Sequence, residues 1–428
     1  MGEKWENICS SVNTCALNGA SNFFAGIPKA HIISNGPLWC YFYALRYLEK
    51  SHLDLDNRFQ CAQLDNNAVV YGTEACLLKA INLVDSMSEP ELLALENSCA
   101  ISLIGDDLAG IARKANLKYP VIDLDTGGLI GGFNEGYVLA SKRLFEKIGL
   151  NKNLVKKKKQ VNLLGCTYGH YNAYNDLQEL QAMLIKGGYT VGAIPGAGSN
   201  LDAIKNIPAA ELNLVVNSEL GLELAQFLEI NYQMPYLEIG MPYGIGGSIN
   251  CLKKIKQYID TDLSQIIAEA QTKEKSILAA IGELKSTWGE LWFDTAIVAG
   301  PSNIALNIAE ALRLEWADMD NLIVITHDNK TREKLHTQAD KVINSSSNGE
   351  EIEDIFENIS NNSLFLASSI EKTAVMRHNI TPKVFCNITY PVQDEILLTN
   401  NPFVGINGAA CMLEKIWNQK INAQLLGN

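Results

Sequence analysis

The stretch HIISNGPLWC, residues 31–40, decides how this 428-residue chain is read. A β-branched apolar run, His31 to Ser34, meets Asn35-Gly36-Pro37 and ends at Cys40. The run suits a short strand buried on both faces, and Gly-Pro is a strong turn signal. The turn therefore delivers a thiol just past the carboxyl end of a strand. Ligands of open α/β sheets gather at that edge. Taken alone, Cys40 reads as a small buried hydrophobe, because a lone cysteine is among the most buried residue types. Its distance from other cysteines is what can be set against that reading. Cys40 stands 25 positions after Cys15 and 59 before Cys99.

Working outward, similar apolar runs recur in three sets. The first is AHIISNG (30–36), AVVYG (68–72), CAISLIG (99–105) and PVIDLD (120–125). The second, after a basic KKKK run at 156–159 read as a solvated hinge, is QVNLLGC (160–166), YTVGAI (189–194), LNLVVNS (212–218) and PYLEIG (235–240). A long helical stretch at about 249–287 leads to the third, DTAIVAG (294–300), NLIVIT (321–326), SLFLASS (363–369) and KVFCNI (383–388). The intervening stretches are long enough for crossover helices. This alternation predicts an α/β chain of three Rossmann-like open parallel-sheet domains around a central cleft. Their expected boundaries are 1–155, 156–288 with a long bridging helix, and 289–428.

Composition narrows the function. Charged residues are 19% and hydrophobic ones 47%, which excludes a disordered chain. The formal net charge of −13 argues against a nucleic-acid partner, which would meet a basic face. No apolar run approaches the roughly 20 residues of a membrane span, and MGEKWENICSSVNT lacks the apolar core of a signal peptide, so a cytoplasmic location without membrane contact is expected. The ten cysteines form no C-x-x-C pair, so neither a zinc ribbon nor a thioredoxin-type site is signalled. Widely spaced thiols are then core residues or ligands collected from different elements.

The cysteine pattern is specific. C-x-x-x-G from Cys15, His-Ile from His31, Asn-Gly-Pro and Cys40, VVYGTEACLLKAI, SCAISLIGDDLAGIARKA from Ser98, and GGFNEGYVLA resemble the first domain of the nitrogenase component 1 superfamily. YNDLQELQAMLIKGGYTVGAIPGAGSNLDAI and MPYLEIGMPYGIGGS resemble its second domain; ASSIEKTAVMRHNITPKVF and NNPFVGINGAACMLEKI resemble its third. The pattern is closest to α-type and cofactor-scaffold chains. The resemblance implies that Cys15, Cys40 and Cys99 ligate an iron–sulfur cluster, 4Fe-4S or larger, at an interface shared with a partner subunit. Gly36 and Pro37 would form the loop that holds Cys40 to it. The implied partners are a related component 1 subunit, paralogue or second copy, in a heterotetramer or homo-oligomer, and an ATP-dependent dimeric iron protein that supplies electrons. The chain carries no G-x-x-x-x-G-K-[ST] of its own.

Departures from the family pattern also matter. Asn217 stands where α-type chains and the scaffold carry a cofactor cysteine, and TYPVQDEILLTNNPF holds no histidine. The resemblance is therefore not to a standard molybdenum nitrogenase α-chain. Cys166 and His170, in GCTYGHYNAYND, and Cys386 in KVFCNITYP are candidates to face the cleft, as is Asn217. They would line a substrate site or a second metallocofactor, or else pack the core. Tyr168, Tyr171 and Tyr174 could line a pocket or pack the helix that follows. His31 reads as structural or as support for the cluster. Asp106 and Asp107 read as helix caps, and GMPYGIGGS as a helix N-terminus able to bind an anion. The expected function is a nitrogenase-like reductase subunit, with a cofactor-assembly scaffold as the alternative; the catalytic acid–base residues are not legible.

Overall fold

The computed structural model describes residues 14–49, 51, 53–87, 89–127, 130–327 and 338–426. Among these residues three sheets form, and every strand pair in them is parallel. The first contains β1 (Ala30–Asn35), β2 (Phe59–Cys61), β3 (Leu92–Asn97) and β4 (Val121–Asp125), in the order β2-β1-β3-β4. The second contains β5 (Lys157–Leu164), β6 (Thr190–Val191), β7 (Ala210–Val215) and β8 (Tyr236–Glu238), in the order β6-β5-β7-β8. The third contains β9 (Trp292–Gly300), β10 (Asp318–Thr326), β11 (Lys341–Asn344), β12 (Ser363–Ala367) and β13 (Val384–Asn387), in the order β11-β10-β9-β12-β13.

The chain separates into two compact units. Thr14–Gly169 with Thr190–Glu238 carries the first two sheets. His170–Tyr189 with Ile239–Asn428 carries the third.

β1 shows why its sequence is apolar without alternation. All six residues are buried. Ile32 packs into a core with the Ala16–Ala25 helix, while Ile33 packs into a second core with the Glu74–Met87 helix on the opposite face. All ten residues of the Ala16–Ala25 helix are buried. It crosses the Phe133–Ile148 helix at backbone contact: a Cβ on Gly19 would lie 1.9 Å from the Phe133 carbonyl oxygen, and one on Gly136 would lie 1.9 Å from that of Ala16. Only glycine permits that approach. The crossing fixes where the helix begins, and so where Cys15 stands.

Several sequence readings need correction. CAISLIG is not a strand: Cys99 opens the Cys99–Ile104 helix, which Gly105 ends in a left-handed conformation at φ +80°. The strand belongs one step earlier, at β3. AVVYG lies in the Asn66–Tyr71 helix, which Asp65 starts by accepting the Ala68 N–H. Both runs are short and apolar, where periodicity does not separate helix from strand. KKKK is no hinge: Lys157 to Lys159 form the exposed start of β5, whose second half is buried. The single bridging helix is two, Gly244–Lys256 and Ser264–Trp288. The apolar runs do not signal β2, β3 or β11.

Candidate thiol site

At the carboxyl edge of the first sheet, the ends of β1 and β3 are tied together. The Ser98 N–H donates to the Asn35 carbonyl at 3.0 Å. Asn35 Nδ2 donates to Asn97 Oδ1 and to Thr73 Oγ1, each at 2.9 Å. The Thr73 N–H and hydroxyl in turn donate to Asp106 Oδ2, at 2.7 and 2.6 Å. Asp107 caps the Leu108–Lys114 helix by accepting the Gly110 N–H. The capping expectation thus holds for Asp107, whereas Asp106 anchors the Thr73 turn. Gly36 has no room for a side chain: a Cβ there would lie 2.4 Å from Ser98 Oγ and 2.5 Å from Ser98 Cβ. Pro37, at φ −58°, starts the Leu38–Leu48 helix, and its carbonyl accepts the Cys40 N–H at 3.0 Å.

Cys40 and Cys99 follow directly from this frame, and Cys15 stands within electrostatic reach of Cys40. Cys15 is exposed, immediately before the Ala16–Ala25 helix, and pairs with Gly132 in an isolated β-bridge. Cys99 is exposed at the first position of its helix. Cys40 is half-buried, and its thiol is pushed up by burial first and then by Cys15, Cys99 and Cys61. Those three sulfurs thus all lie within electrostatic reach of Cys40. Among the described residues, no three His, Cys, Asp or Glu side chains converge as ligands of a single ion. The donors near one another here are thiols, the ligand type that iron–sulfur clusters take.

The surface around the thiols is apolar. The Leu38–Leu48 helix buries only Ala44 and Leu48. Trp39 is 66% exposed and Tyr43 62%, with Trp39 and Phe42 in edge contact at 5.8 Å between ring centres. Leu103, on the Cys99 helix, is 81% exposed. Beside the same strand ends, a cavity of about 390 Å³ is lined by Asn97, Ser102, Asp106, Asp107, Asp125 and Arg143. Sequence reading missed this cavity, and also the buried Glu96 on β3, whose Oε2 accepts from Ser21 Oγ at 2.5 Å. His31 is buried on β1, and burial with the nearby Arg58 lowers its pKa, which keeps it neutral.

The remaining candidates are placed as follows. Cys166 lies just beyond β5, buried, its thiol raised far above the ordinary range by burial. Its carbonyl accepts from the Tyr137 hydroxyl at 2.7 Å. Asn217, after β7, is buried, and its Oδ1 accepts from the N–H groups of Glu219 and Leu220, capping the Ser218–Tyr232 helix. Both belong to the unit that carries the first two sheets. In the other unit, His170 is half-buried and burial lowers its pKa to about 4. Cys386 is buried in β13, its thiol pushed up to about 12 by burial, which suits an inert core residue. Tyr171 is buried in an aromatic cluster with Tyr390 and Phe403. The anion site read at GMPYGIGGS is filled from within: Glu315 accepts the N–H groups of Ile245 and Gly246, each at 2.7 Å. The chain supplies its own carboxylate to that helix N-terminus.

A family model described as nitrogenase component 1 type oxidoreductase matches residues 15–420. One subunit of the light-independent protochlorophyllide reductase of Leptolyngbya boryana is 24% identical over 426 residues, covering 94% of this chain and 81% of that protein. Nitrogenase iron-molybdenum cofactor biosynthesis protein NifE of Clostridium pasteurianum is 26% identical over 272 residues, covering 61% of this chain and 58% of its own length. A solved structure titled nitrogenase Cp1 at pH 6.5 shares the fold, with a TM-score of 0.77 at 16% identity over 96% of this chain and 93% of that one. With three parallel-only sheets and a family match across nearly its whole length, this chain belongs to the nitrogenase component 1 type oxidoreductases.

Proposed function

We propose that this protein is one subunit of a nitrogenase-like reductase. In this reading Cys15, Cys40 and Cys99 hold an iron–sulfur cluster, which when bound accepts and passes on single electrons. The observation that supports it is that Cys15 and Cys99 both lie within electrostatic reach of Cys40, at the edge where Asn35 and Ser98 tie the ends of β1 and β3 together. An ATP-dependent iron protein would supply the electrons, and a substrate or cofactor held by this chain or its partner would receive them. As a ligand Cys40 would be held as a thiolate. The exposed Leu38, Trp39, Tyr43 and Leu103 beside the thiols offer the apolar face on which a related subunit would dock. A buried Asn217 engaged as a helix cap, rather than a thiol, supports a substrate other than that of a standard molybdenum nitrogenase.

The assembly-scaffold reading is favoured by the similarity to a cofactor biosynthesis protein. It lacks a thiol at Asn217 to retain a precursor. Turnover separates the two. With iron protein and ATP added to the anaerobically purified complex, a reductase consumes substrate over many cycles. A scaffold releases a metal cluster once per chain and consumes none. A complex that is free of iron yet fully active would contradict both.

A further inference from the structure

Cys61 is not part of the three-cysteine pattern, yet the fold carries it to the same edge. It is the last residue of β2, the strand beside β1, and pairs in register with Ser34. Its thiol donates to the Gly36 carbonyl at 3.5 Å, so it touches the turn that presents Cys40. Directly paired residues on neighbouring strands point to the same face of a sheet. Phe59, two residues earlier on β2, and Ile32, two residues before Ser34, both pack into the core shared with the Ala16–Ala25 helix. Cys61 therefore faces the side covered by the helix that Cys15 begins, and Cys40 packs against that same core. Cys76 differs: it lies on the Glu74–Met87 helix, whose buried Leu77 and Ile81 belong to the core on the opposite face.

We infer that Cys61 is a fourth thiolate ligand, so that Cys15, Cys40, Cys61 and Cys99 together complete a four-cysteine site for a 4Fe-4S cluster within a single chain. This rests on the cluster reading above and extends it: the partner then covers the site without having to contribute a ligand. Four thiolates are the ordinary complement of such a cluster. Cys61 is half-buried, which keeps it accessible to a cluster while shielding the bond from water. Gln63, at φ +49°, turns its backbone N–H to the Cys61 sulfur. Such hydrogen bonds to ligand sulfur are among the features that set a cluster's potential. Loading is a ligand exchange. Each thiol loses its proton to solvent as its sulfur binds an iron of an incoming cluster, the carrier's ligand leaves, and no electron is transferred.

The test uses the full-length chain expressed without a partner, purified anaerobically and reconstituted with ferric iron, dithiothreitol and sulfide. It is expected to hold about four irons per chain and to give a spin-half resonance on reduction. Cys61→Ala is expected to fall to about three irons, a loss of about a quarter, and to show a three-iron signal when oxidised. Cys61→Ser, which keeps the size and places oxygen on iron, is expected to retain the iron content with shifted g-values; it guards against a folding failure of the alanine variant. Cys76→Ala is expected to match the wild type. Wild-type iron content and unchanged g-values in both Cys61 variants, while Cys40→Ala loses its iron, would overturn the inference and leave the proposed function standing. Iron held only when the partner is present would also overturn it. Absence of iron from chain and complex alike would remove the cluster reading itself.

Discussion

Glu96→Gln is the substitution whose consequence can be worked furthest from the structure. Glu96 is fully buried on β3; its Oε2 accepts from Ser21, and its Oε1 has no hydrogen-bond partner among the described residues. Burial raises its pKa from the ordinary 4.5 to about 8, against a smaller lowering by Ser21. The native chain thus keeps a proton that the unfolded chain gives up above about pH 4.5. Between about pH 4.5 and about pH 8 the native state binds one more proton, so stability falls as pH rises. At ~1.4 kcal/mol per pH unit, the full window is worth about 5 kcal/mol. Glutamine keeps an acceptor for Ser21 and has no proton to lose, so it removes the slope. Its amide N–H groups lack partners, which costs about 1–3 kcal/mol. Near pH 8 the variant should therefore be more stable than the wild type by about 2–4 kcal/mol, an advantage that reverses at a crossing between about pH 5 and about pH 7. Hydrogen exchange followed by mass spectrometry on peptides spanning β3 and the Ala16–Ala25 helix, corrected for intrinsic rates, reads this difference. A difference between wild type and variant that stays flat from pH 5 to pH 8 would refute the reasoning.

Other predictions concern the frame around the thiols and the supports of both units. Gly36→Ala drives a methyl into Ser98, whose Cβ cannot swing away, and should cost about 1–3 kcal/mol of local stability; iron content should fall with it, and an unchanged iron content would show that the turn is not needed to hold Cys40. Tyr137→Phe leaves the Cys166 carbonyl without its 2.7 Å donor and should raise the urea sensitivity of its unit by about 1–2 kcal/mol. Glu315→Gln removes the charge from the N-terminus of the Gly244–Lys256 helix and should cost about 0.5–2 kcal/mol, seen as faster exchange at Ile245 and Gly246.

Burial on both faces made some strands legible, though not β3, which is buried throughout but ends in the polar Glu96 and Asn97. β1, β9, β12 and β13 are continuous apolar runs because helices or neighbouring cores cover each side. The same rule failed at Cys99–Ile104, where a short apolar run is a helix with Leu103 turned outward. It failed at Lys157–Lys159 because the exposed start of a strand carries no hydrophobic signal. The thiols of the proposed site were legible because their spacing is local text: Cys15, Cys40 and Cys99 each sit beside a recognisable glycine or turn. The long-range supports within each unit were not. The Ser21–Glu96 contact joins residues 75 positions apart, and Glu315 reaches helix N–H groups about 70 positions earlier in the chain. Cys61 became informative only when register placed it beside Ser34.

The central claim is that the Cys15, Cys40 and Cys99 edge of the first sheet holds the iron through which electrons enter. Anomalous scattering at the iron edge, from crystals of the anaerobically purified protein with its co-purifying partner, tests it most directly. The account predicts one multi-iron peak bounded by the sulfurs of those three cysteines, lost in Cys40→Ala. Iron bound elsewhere in a catalytically active complex, with no peak at that edge, would contradict it.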